Sequence, residues 1–202
     1  MDLIALVADK DMKLSLDGLL QKRRQSLGIR EIKYQVYPQY PRDPDTFHTC
    51  QEFLRPFLSR SDHALVMLDR HGCGRSADRE SLEQEVERRL AQNGWQGRCA
   101  AVVIEPELEA WAWSQSPHVL SVLGWKGNRE DLNRMLQEEG FLEKGHLKPR
   151  EPAEAFLHVL RVTRKRRSSS LFHDFAASVT FEGCLDPAFG KLKTTLRRWF
   201  PG

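Results

Sequence analysis

Apolar residues come first in short unbroken runs and later only at helical spacing. Residues 3–7 (Leu-Ile-Ala-Leu-Val), 64–68 (Ala-Leu-Val-Met-Leu) and 100–104 (Ala-Ala-Val-Val-Ile) are such runs. Runs of this length without polar alternation predict strands buried on both faces, as in a parallel sheet. Residues 32–37 alternate instead and predict one more strand. Between the strands, Leu14, Leu16, Leu19, Leu20 and Leu27 predict a helix that Gly28 ends. Phe47, Cys50, Phe53, Leu54 and Phe57 predict a second, capped by Asp45 or Thr46. Leu82, Val86 and Leu90 predict a third, opened by Ser76 or Asp78 and ending near Gly94. Residues 38–44 hold three prolines and predict a loop. The order β-α-β-α-β-α-β implies a parallel sheet covered on both faces.

After Glu105 the pattern changes and no strand is predicted. Leu108, Trp111 and Ala112 predict a helix, residues 120–123 a short apolar turn, and Leu132, Met135 and Leu136 another helix. Further helices are predicted over 153–162, 171–179 and 189–200, the last basic and amphipathic. The reading is an α/β core at 1–115 and a helical tail at 116–202 packed on it. Of Trp111 and Trp113, two positions apart, one is expected to pack on the sheet.

Charge changes this picture in one place. The net charge is only +3, but residues 161–198 carry nine Lys and Arg against three acids. A basic quarter of that kind points to a polyanion, and nucleic acid is the expected partner through Arg164, Lys165, Arg166 and Arg167. A solvated face fits the same charges. No 18-residue apolar run exists, so no membrane span is predicted. The apolar start lacks a basic leader, and the expected location is cytoplasmic. Cys50, Cys73, Cys99 and Cys184 form no CxxC pair, which argues against structural zinc. The remaining histidines, apart from His71, have no ligand-type spacing.

The candidate chemistry lies at strand ends. The run 64–68 continues into Asp69-Arg70-His71, and the run 100–104 into Glu105-Pro106-Glu107-Leu108-Glu109. Ligands of open α/β sheets sit outside the carboxyl ends of the strands. Hard divalent ions take oxygen ligands, so Asp69, Glu107, Glu109 and Asp9 are candidate ligands for Mg2+ or Mn2+. Asp69, His71 and Glu109 are the candidate catalytic residues, with His71 as an acid or base. The same acids also read as solvated strand ends or helix caps. Gly72-Cys73-Gly74-Arg75 is a weaker candidate phosphate cradle.

The succession Leu68-Asp69-Arg70-His71-Gly72-Cys73, then Glu107-Leu108-Glu109-Ala110-Trp111, then Lys148-Pro149-Arg150-Glu151 and a closing Phe189-x9-Trp199-Phe200 resembles the small Toprim-like proteins of prokaryotic defence islands. It is also similar to small accessory subunits of a methylation-associated defence system. The resemblance implies a compact Toprim-like parallel sheet flanked by helices. It further implies a component of a bacterial antiphage system, with a metal-dependent phosphodiesterase site and other defence subunits as partners. On that pattern Asp69 matches the first metal aspartate, and Glu107 and Glu109 match the Glu-Leu-Glu. His71 stands where a second aspartate belongs, and Ala8 where a first-strand glutamate belongs. A degenerate site, serving a non-catalytic adaptor or nucleic-acid-binding subunit, is the alternative expectation.

Overall fold

The structure, a computed structural model, describes residues 1–39, 43–180 and 184–202. Four strands form one all-parallel sheet: β1 (Leu3–Val7), β2 (Tyr34–Pro38), β3 (His63–Asp69) and β4 (Cys99–Ile104), in the spatial order β2-β1-β3-β4. This is the α/β layout of a parallel sheet flanked by helices. Every residue of β1 is buried, as are the five central residues of β3, because layers of helices cover the sheet. Leu3 pairs with His63 and Val7 with Met67, while Asp69 lies opposite Ile104.

Helices follow each strand: α1 (Lys10–Lys22), α2 (Arg24–Leu27), α3 (Asp43–Leu54) and α4 (Arg79–Leu90). The helix predicted through Leu27 is interrupted at Arg23, and Gly28, at φ 69°, ends α2. α3 opens at Asp43, so neither Asp45 nor Thr46 is its cap; Thr46 is buried instead. Residues 40–42 of the proline-rich segment lie outside the described residues. Asp78 caps α4, its side chain accepting from Ser81 N–H. The chain reverses its direction of sheet growth at β1, which makes the crevice between the ends of β1 and β3 the switch point.

The rest of the described chain is helical: α5 (His118–Leu123), α6 (Arg129–Glu138), α7 (Pro152–Val162), α8 (Ser170–Ser178) and α9 (Pro187–Trp199). One apolar cluster runs through all of it, from Leu3 to Phe200. α8 packs along α1 so closely that a Cβ on Gly18 would sit 2.8 Å from the His173 carbonyl oxygen. The predicted helix after Glu105 is a 3-10 turn, Leu108–Trp113. Its three-residue repeat eclipses Leu108 with Trp111 and Ala110 with Trp113. Trp113 is buried and donates to the Pro152 carbonyl, while half-buried Trp111 donates to Asp186.

β4 is an edge strand, and its outward N–H groups would template unwanted pairing if left open. Two glutamates of α4 close it. Glu83 accepts from Val103 N–H and Glu87 from Ala101 N–H, both at 3.0 Å. Lys191 of α9 then bridges the two carboxylates at 3.1 and 2.7 Å, and Arg79 binds Glu83 at 2.9 Å. Among the described residues no helix is long and apolar enough to cross a membrane.

Candidate functional site

The carboxylates predicted to form one set meet different partners. Asp9 is the N-cap of α1 and accepts from Met12 N–H at 2.9 Å. Burial pushes its pKa up, and the nearby Asp11 carboxylate adds to the rise. Glu107 does not cap its own turn. It accepts from Ala153 N–H at 2.9 Å, in the first turn of α7. That helix has no side-chain cap of its own and carries Pro152 at its start, so one of its orphan N–H groups falls to Glu107. Glu105 is bound by Arg70 at 2.9 Å. Asp69 closes β3, and exposed His71 stands in the turn after it, its backbone N–H bound to the Pro106 carbonyl.

Glu109 and Asp11 are brought together, but by a guanidinium. Arg167, in the connection between α7 and α8, reaches Asp11 at 2.6 Å and Glu109 at 3.3 Å. Both carboxylates are nearly enclosed, with side-chain exposures of 9% and 12%, against 42% for Arg167. Burial raises the pKa of Glu109, and Glu107 pushes the same way while Arg167 pulls it down. Among the described residues, no group of three or more His, Cys, Asp and Glu side chains is placed to hold a metal ion. Asp69, Glu107, Glu109 and Asp9 therefore do not fit a shared divalent ion in this arrangement.

The glycine turn after β3 makes its own contacts. Gly74 is left-handed at φ 69°, and Cys73 is buried with its thiol on the Arg70 carbonyl. The next helix N-terminus is already occupied by the Asp78 carboxylate. A cleft of about 570 Å³ lies elsewhere, walled by Trp111, Trp113, Phe175 and Phe189. Its buried Asp186 has three donors: Trp111 Nε1, Lys148 Nζ and Phe189 N–H.

The basic run behaves differently from the acids. Past the end of α7, Arg164 closes the helix as a non-glycine residue at positive φ (55°). Arg164 N–H bonds the Arg161 carbonyl at 3.1 Å and Lys165 N–H the Leu160 carbonyl at 2.9 Å, the paired closure in which glycine is the usual residue. This bend turns the chain so that Arg161, Arg164, Arg166 and Arg167 surround a groove of about 310 Å³ floored by Leu157 and Leu160. Lys165 is drawn inward, its ammonium on the Val122 carbonyl. Arg161, Arg164 and Arg166 are exposed, and among the described residues they make no ion pair. Arg161 was absent from the sequence-predicted set. Its place in the last turn of the predicted helix, just ahead of the basic run, is the signal that could have found it.

A left-handed arginine is strained by about 1–2 kcal/mol relative to its relaxed state. Arg164→Gly is therefore expected to raise stability by about 0.5–1 kcal/mol, glycine's larger unfolded-state entropy taking back part of the relief. The midpoint of urea unfolding checks this, and a loss of stability contradicts it. Comparison of the chain with family models, curated proteins and solved structures gave no match.

Proposed function

We propose that this chain is a nucleic-acid-binding, non-hydrolytic component of a bacterial antiphage defence system, with a Toprim-like sheet serving as scaffold. Its interface is the basic turn that closes α7, contributed by Arg161, Arg164, Arg166 and Arg167. The observation that carries the reading is the gathering around one groove of three guanidiniums that make no ion pair among the described residues. Like charges held together without acids repel, and a phosphate backbone relieves that repulsion. The defence assignment rests on the sequence resemblance, of which Glu107-Leu108-Glu109-Ala110-Trp111 is the most specific element. Glu107 and Glu109 then serve as fasteners of α7 and of the basic turn, not as metal ligands.

Anisotropy of a labelled single-stranded oligonucleotide tests it. Neutralising three to four phosphates predicts a slope of roughly −2 to −3 in log affinity against log salt, since each contributes about −0.7. Arg166→Gln is expected to flatten that slope by about 0.7. A salt-independent affinity, or none at low salt, overturns the nucleic-acid assignment. Cleavage of the strand in Mg2+ or Mn2+ that Asp69→Asn abolishes overturns its non-hydrolytic part.

A further inference from the structure

We infer that the groove at the end of α7 reads a compact cluster of phosphates, the triphosphate group of a nucleotide or of a strand's 5′ end, in preference to an extended phosphate backbone. The inference rests on the nucleic-acid reading above and narrows it to one chemical group.

All the groove-lining residues fall between positions 157 and 167. The cationic charge is therefore concentrated on one helix turn and the bend that follows it. Arg161 lies in the last turn of α7, and Arg164 follows three residues on, at the left-handed residue where the chain turns away. A backbone-tracking groove needs charges laid out along the strand, because successive phosphates of one strand advance along it. Adjacent phosphates of a triphosphate share bridging oxygens and present their charge in a small volume. The groove, at about 310 Å³, is at the lower end of the ~300–1,000 Å³ typical of small-ligand sites. Guanidiniums are the side chains suited to several phosphate oxygens at once, through their fixed fork of donors.

The floor adds a second constraint. Leu160 is buried and Leu157 is 37% exposed, so the base of the groove is apolar. An apolar floor gives no hydrogen bonds to a second run of phosphates. It offers a surface to the sugar and base that adjoin a triphosphate. The left-handed Arg164 is then explained: a strained residue persists where the surrounding structure fixes it, and such residues gather at binding sites. Here the left-handed turn falls at Arg164, and Arg161, Arg164 and Arg166 line one groove around it.

The experiment compares three strands of one sequence, carrying 5′-hydroxyl, 5′-monophosphate and 5′-triphosphate ends, with inorganic triphosphate and ATP as competitors. The 5′-triphosphate strand is expected to bind at least tenfold more tightly than the 5′-hydroxyl strand, and Arg164→Gly to erase the difference. Inorganic triphosphate is expected to displace it at one equivalent per chain. ATP binding as tightly as the 5′-triphosphate strand assigns the group to a free nucleotide. ATP binding more weakly assigns it to a strand end. Equal affinity for all three strands, rising with strand length, overturns the inference and leaves the nucleic-acid reading standing. Binding of inorganic triphosphate with no binding of any strand does the reverse. Binding of neither overturns both.

Discussion

Glu83→Ala is expected to destabilise the protein by about 3–5 kcal/mol, the range for removing one partner of a buried ion pair. The carboxylate is 4% exposed and serves three donors: Val103 N–H on the sheet edge, Arg79 and Lys191. Its loss leaves Lys191 with Glu87 alone and Arg79 with Glu80 alone, beside an unsatisfied edge N–H, and such a buried group is costly by itself. In a chain of this length each kcal/mol corresponds to about 2–4 °C, so Tm is expected to fall by roughly 10 °C. Glu83→Gln keeps an acceptor for Val103 and should recover part of the loss. The open edge of β4 should also make the alanine variant prone to self-association. Thermal unfolding with light scattering reads both effects. A fall of less than about 1 kcal/mol, the level of an exposed pair, would show that the edge is closed by something other than this carboxylate.

That pair of glutamates shows what the sequence conceals. Glu83 and Glu87 sit on a helix whose residues are mostly charged, and one-dimensional reading places them on its solvated face. Only the position of α4 beside an edge strand turns them inward. The strands themselves were legible, because β1, β3 and β4 are unbroken apolar runs and a parallel sheet demands that. β2 is displaced by two residues from its predicted start, since its alternating edge pattern fixes position less firmly. The 3-10 turn was not legible: Leu108, Trp111 and Ala112 fit a helix of either pitch.

For the site, composition identified the basic run but not what each residue does in it. Lys165 turns inward to Val122, Arg167 crosses 156 positions to reach Asp11, and Arg164 takes a conformation that local sequence disfavours. The acids were grouped by their common place at strand ends. They separate in the fold because each neighbouring helix and arginine has its own unmet need. Glu107 answers the uncapped start of α7, Asp9 the start of α1, and Glu109 the guanidinium of Arg167.

Arg167 is the residue on which these two halves of the site depend, and Arg167→Ala is expected to lower stability by about 1–3 kcal/mol at neutral pH. The figure lies below the ~3–5 kcal/mol of a fully buried pair because this arginine is partly in water. The loss should depend on pH with a definite sign. Burial raises the folded-state pKa of Glu109 above its ordinary 4.5 and that of Asp9 above 3.8. For an acid shifted upward, the folded state holds its proton longer, so stability is complete at low pH and declines as pH rises through the folded value. Arg167 opposes that rise at both residues. Without it the folded values climb further, and the decline becomes steeper and extends to higher pH. The variant should therefore approach the parent near pH 4 and fall behind it toward neutrality, measured by urea unfolding across that span. A deficit that stays constant with pH would mean that Arg167 acts through packing on Phe172, 5.6 Å away, and not through the carboxylates. Glu109→Gln with Arg167 retained separates the two, because it removes the charge and leaves the Phe172 contact in place.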